Sequence, residues 1–440
     1  FWSTSTVGEL GIVASNTSSE ATAEVTLSDA TGVIKTQVAP PGGVVIFRVD
    51  HSRNKLDRSE LAKKGFHLTS SSPVAAYLFH PIDAARVYSG SATLLLPEHV
   101  MSKNYFAVSY TYNADLITTP PQGQGVLAVM GISDNTQVEV TVPVATSAGP
   151  GVAALKAGET LRTTINRYDV LEVMHTKSKE DISGATVKAS APVAVYGGAG
   201  GVSIPSTALG GNHLGVQIFP LQTWGKHYIG SKFKQRNATD HDYYRIVASV
   251  DNTHVTFSNN PKLPGPQTLS RGGFFEFDTD LDFEIDADQP ILALQYMPAW
   301  GNLSGTFSST DFPNGAPPDC PYAGNSVQCL GDANMAPLVP VEQYRSDYLF
   351  YVPQTYHYNF INVTAPIGTA LMLDGKAVTD GLRTLGNGTH GRAIIAVQAG
   401  NHRITADMPF GLMSYGYAWA TSYSYPGGLN LEVINPNPPG

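Results

Sequence analysis

Charge is scarce in this chain. Of 440 residues, 14% are Asp, Glu, Lys or Arg, with a formal balance of -9 and a pI near 5.7. A sequence-independent grip on nucleic acid needs a basic surface that displaces counterions, so the composition argues against nucleic acid as a partner and disfavours anionic lipid. No apolar run approaches the roughly 20 residues that cross a bilayer, so no direct membrane span is expected. Cysteine is rarer still: Cys320 and Cys329 are the two, with eight residues between them in DCPYAGNSVQC. Two thiols are too few and too far apart for a zinc knuckle, and the turn-rich stretch reads as a small disulfide-closed loop, which implies an oxidising compartment. Helical patterning is nearly absent; its best candidate is SELAKKG, Ser59 to Gly65, with a Ser cap and a Gly stop. Neither G-x-S-x-G, H-E-x-x-H nor G-x-x-x-x-G-K-[ST] occurs. Paired carboxylates for glycoside cleavage leave no local trace, so a carbohydrate-active enzyme stays open as the catalytic alternative.

What is plentiful is Gly (43), Pro (30) and Tyr (21). Thr- and Val-rich runs alternate polar with apolar, as in TQVEVTV (Thr136 to Val142) and HVTF (His254 to Phe257), and turn residues break them about every ten positions. That pattern predicts short antiparallel strands. The segments GFHLTSSSP, GATVKASAP, DFEIDADQP and NHRITADMP end at Pro73, Pro192, Pro290 and Pro409. Five positions before each proline stands an aliphatic residue (Leu68, Val187, Ile285, Ile404), and three before it a small one (Ser70, Ala189, Ala287, Ala406). The prolines are 119, 98 and 119 residues apart, which marks a repeat.

A second signature sets Tyr eight residues after Pro, at Pro97 and Tyr105, Pro220 and Tyr228, and Pro340 and Tyr348. A third, VMGISDNTQVEV, IVASVDNTHVTF and VTAPIGTALML, is written like a hairpin. Gly-centred turns at Gly42, Gly158, Gly272 and Gly400 are read as counterparts. The chain is therefore expected to be all-β: four homologous antiparallel β-sandwich-like units in tandem, packed together. Their expected limits are 1–90, 91–211, 212–332 and 333–431, followed by a Pro-rich tail, 432–440. The chain starts at Phe1 without a methionine or signal-like segment and ends in NPNPPG, so we read it as a mature or excised piece of a longer polypeptide.

Five local features bear on chemistry. PVAVYGGAGG, Pro192 to Gly201, has the glycines of a phosphate cradle, but no helix follows it, so it reads as a loop leaving a strand. DTDLDFEIDAD, Asp278 to Asp288, offers oxygens for calcium, yet its strict alternation reads as one strand with a wet face. DHDYYR, Asp240 to Arg245, reads as a surface turn. Asn16, Asn237, Asn302, Asn362 and Asn387 each begin an N-x-Ser/Thr triplet. Aromatic residues are the remaining lead: Trp2, Trp224, Trp300 and Trp419, with the alternating Tyr415, Tyr417, Tyr423 and Tyr425. Such side chains stack on sugars or anchor protein partners, or else fill the space between units. Trp224, Trp300, Tyr415, Tyr417, Trp419, Tyr423 and Tyr425 are the candidate contact residues.

Several stretches resemble one family: FW at the start, PVAVYGG with Asn212 to Tyr228, Val339 to Val363, and Pro409 to Leu431. Together they are similar to the N-terminal domain of the IgG Fc-binding protein and to related modules of bacterial secreted or surface proteins. The resemblance implies an extracellular binding or adhesion module, in animals attached to mucus proteins, with no cofactor and no catalytic residue to carry over. It does not transfer the antibody ligand. The expected partner is a protein or glycan on a surface or matrix. The structural alternative is a subunit that forms homo-oligomers or filaments, with VGELGIVAS (Val7 to Ser15) completing a neighbour's sheet.

Overall fold

The computed structural model describes residues 9–50, 58–83, 89–111, 113–115, 124–258, 260–379, 381–386 and 388–436. Half of the chain is strand and 4% is helix. The first strands are β1 (Leu10–Asn16), β2 (Ala23–Asp29), β3 (Gly32–Ala39), β4 (Val44–Val49), β5 (Glu60–Lys63), β6 (His67–Ser70), β7 (Val74–His80) and β8 (Ser91–Leu95). They form two antiparallel sheets, ordered β4-β1-β7-β8 and β3-β2-β6, while β5 joins a later sheet. Next come β9 (Ser102–Phe106), β10 (Gly125–Gly131), β11 (Thr136–Thr141), β12 (Thr160–Ile165), β13 (Asp169–Met174), β14 (Thr186–Val202) and β15 (Asn212–Gln217). The long β14 pairs through its first half with β11 and β9, and through its second half with β10 and β15.

The third stretch holds β16 (His227–Gly230), β17 (Asp242–Ala248), β18 (Thr253–Phe257), β19 (Gln267–Leu269), β20 (Phe274–Thr279), β21 (Phe283–Ala287), β22 (Ile291–Met297) and β23 (Asn334–Pro337). Its sheets run β16-β21-β18-β19 and β20-β17-β22-β23. Last are β24 (Arg345–Val352), β25 (Tyr358–Pro366), β26 (Leu371–Leu373), β27 (Lys376–Ala377), β28 (Arg383–Thr384), β29 (His390–Ala396), β30 (Gly400–Ala418) and β31 (Thr421–Pro426). As β14 does, β30 changes partners along its length, from β24 and β26 to β25 and β31.

Period-two alternation produces these strands. In β2, β11 and β18 the apolar residues Val25, Leu27, Val138, Val140 and Val255 point inward while their neighbours face water. The four signature prolines sit where the chain changes sheet. Pro73 lies between β6 and β7, Pro290 between β21 and β22, and Pro192 and Pro409 fall at the partner changes inside β14 and β30. A residue without an N–H costs no ladder bond at such a point.

One hydrogen bond joins the proline and tyrosine signatures. Tyr105, Tyr228 and Tyr348 pair with Val187, Ile285 and Ile404, the aliphatic residue five before the proline in each case. Each tyrosine hydroxyl donates to the carbonyl of the residue just after the proline: Val193 at 2.9 Å, Ile291 at 2.6 Å and Phe410 at 2.6 Å. Each also accepts from the amide three residues earlier, Ser102, Gly225 or Arg345. The ring thus locks one strand to the sheet crossing of another.

Several expectations are overturned. Ser59 to Gly65 is not a helix, because Glu60–Lys63 is drawn out as an edge strand paired with β13. The third signature is not a hairpin: β10 and β11 do not pair with each other but lie along different halves of β14, and β17 and β18 belong to different sheets. Both strands point their apolar residues at the same core, so the pattern could not tell the two cases apart. Gly42 and Gly272 occupy corresponding turns, between β3 and β4 and between β19 and β20, but Gly158 precedes β12 and Gly400 opens β30.

The glycines of PVAVYGGAGG are in strand β14 and not in a loop. A Cβ on Gly197 would fall 2.1 Å from the Val108 carbonyl oxygen, and one on Gly198 2.0 Å from that of Leu214, so close backbone approach demands glycine here. Asp278 to Asp288 is two strand ends and a turn, since β20 stops at Thr279 and β21 starts at Phe283. Val7 to Ser15 is a poor donor for a neighbour's sheet, because β1 is held between β4 and β7; Val7 and Gly8 lie outside the described residues.

Tyr228→Phe is expected to lower the free energy of unfolding by about 1–2 kcal/mol, since the Ile291 carbonyl and Gly225 amide lose a buried partner. Urea denaturation checks it, and an unchanged midpoint would remove the tie from this account.

Candidate functional site

The last strands of the four groups, β8, β15, β23 and β31, meet in a closed ring: β15 lies against β8 and β23, and β31 against β23 and β8. Their first residues converge on one buried polar knot. Asn212 Nδ2 donates to the Gly90 carbonyl (3.2 Å) and the Ala333 carbonyl (2.5 Å), and its Oδ1 accepts from the Gly90 amide at 2.7 Å. Asn334 Nδ2 donates to the Gly90 and Ser422 carbonyls at 3.0 and 3.1 Å, while Ser424 Oγ donates to Asn334 Oδ1 at 2.6 Å. Because all four strands start at this knot, the segments that feed them, ending at Gly90, Gly211, Ala333 and Ala420, reach the same end of the body.

That end carries an aromatic patch. Trp300 and Trp419 have ring centroids 5.8 Å apart, and Tyr322 lies 6.0 Å from the first and 5.4 Å from the second. Tyr322 is 37% exposed, and Leu209, whose carbonyl and side chain border Gly301, is 57% exposed. Tyr322 is tethered by the Cys320–Cys329 disulfide, with Cα atoms 5.5 Å apart, as the sequence predicted. A short covalent loop holds the ring in place at low entropic cost on binding.

Of the seven candidate contact residues, the structure brings Trp300 and Trp419 together here. Trp300 is half-buried and Trp419 is buried against it, and the other five are core. Trp224 is 1% exposed, packs on Phe106 and donates its indole N–H to the Phe219 carbonyl. Tyr415, Tyr417, Tyr423 and Tyr425 are fully buried, with hydroxyls on Asn362, the Lys234 carbonyl, Asn359 and the Tyr351 carbonyl. Both faces of β31, and of β30 from Phe410 onward, are enclosed, so alternation there did not mark a wet side. Sequence reasoning missed Tyr322 and Leu209; the tyrosine between two cysteines was the available signal. Trp2 lies outside the described residues.

Asp240 to Arg245 is not a surface turn. Arg236 grips Asp240 with both Nε (2.9 Å) and Nη2 (2.8 Å), and Lys232 Nζ stands 2.6 Å from Asp242, all four residues being nearly fully buried. Burial pushes the Asp240 carboxyl up, but Arg236 and Lys232 outweigh it and hold the group well below the usual carboxylate range. Asp242 also accepts from Gln295 and from the Phe233 amide, so this ionic cluster is saturated and reads as a clamp. Arg245 bridges Asp181 and Glu276, both at 2.8 Å. Among the described residues no group of three or more His, Cys, Asp or Glu is placed to hold a metal.

Two of the N-x-Ser/Thr asparagines are structural: Asn16 donates to the Ala21 and Pro40 carbonyls, and Asn362 to Ser231 and Lys232, both out of solvent. Asn387 lies outside the described residues. Beneath the aromatic patch, Asp332 is buried with Oδ1 accepting from the Ala333 amide (2.7 Å) and the Trp300 amide (3.3 Å). Burial pushes its carboxyl up to about 7 against the pull of those amides.

A family model described as IgGFc binding protein matches residues 91–416. Among curated proteins, the IgGFc-binding protein of Homo sapiens is 26% identical over 196 residues, which cover 44% of this chain and 3% of that protein. The match therefore takes in a small part of the relative's length. Among solved structures, an anti-sigma factor domain-containing protein is 9% identical, with 93% of this chain and 94% of that chain covered at a TM-score of 0.14. A chain from the lipid-containing bacteriophage PM2 is 11% identical, with 70% and 84% covered at 0.09. Superpositions this poor carry no argument about fold or function.

The raised acid gives a pH signature. The folded chain keeps the Asp332 proton that the unfolded chain releases above about pH 4. Its favourable contribution is whole below that pH and is lost as pH rises through about 7. In Asp332→Asn the difference from the parent should therefore shift in the variant's favour by about 2–4 kcal/mol between pH 4 and 8. Denaturant titrations across that range read the shift, and parallel curves would place the carboxyl in ordinary surroundings.

Proposed function

The chain belongs to the IgGFc-binding family, and from that premise we propose that it is an extracellular, non-catalytic recognition module whose partner is a protein or glycoprotein. The observation that carries this reading is the patch of Trp300, Tyr322 and Leu209, backed by the buried Trp419 and set on loops at one end of the strand ring. Large flat side chains give contact area for little lost rotamer freedom, and a rigid scaffold displaying them on loops is the usual architecture of a binding face. The relative's name supplies a first probe, the Fc fragment of IgG, to be run beside other surface and matrix glycoproteins.

The body that displays the patch is, in this reading, four tandem copies of one sandwich. What supports it is the recurrent pairing: β1, β10, β17 and β25 each lie between two strands of one sheet while β2, β11, β18 and β26 start the other. The tyrosine tie recurs at the same register in the last three. Since β8, β15 and β23 pair with β7, β14 and β22, each copy takes the strand beyond its expected limit, and the proposed units become 9–96, 97–219, 220–339 and 340–431.

Combined Leu209→Ser, Trp300→Ala and Tyr322→Ser should weaken capture of a bound glycoprotein at least about tenfold while leaving the melting temperature within a few degrees. Surface plasmon resonance with a parallel thermal melt measures both. Undiminished binding by the triple variant would move the site elsewhere, and release of reducing sugar ends from a glycan substrate would replace recognition with catalysis.

A further inference from the structure

One carboxyl lies where the loops that carry the aromatic patch converge. Asp332, two residues ahead of β23, is 1% exposed, and its Oδ1 accepts from the amides of Ala333 (2.7 Å) and Trp300 (3.3 Å). The Gly211 amide pulls on the same carboxyl. Gly210 is pressed against both neighbours, since a Cβ there would fall 3.0 Å from the Trp300 indole nitrogen and 3.3 Å from Asp332 Oδ1. Leu209 thus stands two residues from one tether, Trp300 is itself another, and Tyr322 packs on the Trp300 ring. The two loops are also joined at their bases, where the Ala299 amide donates to the Ile204 carbonyl at 2.8 Å. Their tips are held by the carboxyl.

The charged and titratable groups around Asp332 are committed elsewhere. Across the Gly331 turn, Arg236 gives Nε and Nη2 to Asp240 and Nη1 to the Leu330 carbonyl, and the Tyr417 hydroxyl donates to the Lys234 carbonyl. His213, two residues beyond Gly211, turns its ring to Ser91, and on the β31 side the neutral Ser422 bonds the Asp332 backbone. The carboxyl is therefore held by backbone amides, with no salt bridge among the described residues. Amides favour a carboxylate, but burying one without a counter-ion costs more than burying the neutral acid. We propose that Asp332 is the positioning residue of the patch and makes it pH-sensitive: the neutral carboxyl keeps the Leu209 and Trp300 loops closed, and its ionisation loosens them. Burial pushes the carboxyl up to about 7 against the pull of the amides, whereas an opened one returns to about 4. Closed loops hold the proton more tightly than open ones, so closure is whole below about pH 4 and is lost as pH rises through about 7, by up to about tenfold per pH unit. That partner affinity falls with it rests on the recognition reading; the loop motion does not.

The test uses the full chain and its Asp332→Asn variant, a neutral isostere. Hydrogen-exchange protection factors at the Gly211, Trp300 and Ala333 amides, with Leu349 of β24 as reference, should fall at least about tenfold in the parent between about pH 6 and pH 8 and hold steady in the variant. By surface plasmon resonance, the parent's affinity for the Fc fragment of IgG should fall over the same range while the variant's does not. Parent protection that ignores pH overturns the proposal, as does an equal fall in the variant or loosening without loss of affinity. An Fc fragment that binds at neither pH counts against the recognition reading alone, and exchange then decides. If the variant does not fold, the parent's exchange profile decides.

Discussion

Four strands that meet side by side away from water must satisfy every polar group they bring with them. Around Gly90, Asn212, Asn334 and Ser422 side-chain amides reach from one strand group to the next, both bonding the Gly90 carbonyl and each a second backbone carbonyl, Ala333 or Ser422. Asparagine suits the task because it donates and accepts at once without carrying charge. The knot joins residues separated by 121, 122 and 244 positions, so it cannot form until every group has folded. The largest of the three apolar clusters among the described residues runs from Val13 to Leu429 and draws on all four groups.

Away from the axis, the groups are tied by more selective contacts. Tyr77 spans from the first group to the Leu349 and Gly427 carbonyls of the last, Tyr296 reaches the Ser109 carbonyl, and Arg245 binds Asp181 and the Ser109 carbonyl across another boundary. Arginine is suited to that position because its planar fork satisfies several acceptors while staying charged, with the Tyr110 and Phe274 rings against its faces. In the reading proposed above, a body built this way leaves recognition to the loops at one end.

Much of the fold was legible. The proline and tyrosine signatures were visible as spacings, and the structure supplies their cause in one hydrogen bond between the strand-bearing tyrosine and the carbonyl after the proline. The disulfide loop was also readable, since two cysteines in a turn-rich stretch leave few alternatives. Hairpins were misread because alternation reports which residues face the core and says nothing about which strand lies alongside. The candidate site was legible in small part: Trp300 is half-buried at the patch with Trp419 buried against it, whereas Tyr415 to Tyr425 and Trp224 are sealed in by elements far away in sequence.

Local composition determined the class of this protein: alternating apolar residues, frequent turns and scarce charge admit short antiparallel strands around dry interiors and little else, because those are period-two, short-range properties of the chain. Tertiary structure alone decided that the strands close into a ring, that acidic Asp240 and Asp242 lie inside while Tyr322 lies outside, and that Asp332 is buried beneath the aromatic patch. Those outcomes depend on packing between segments more than a hundred residues apart, and burial of that kind is a property of the assembled body that no window of sequence contains.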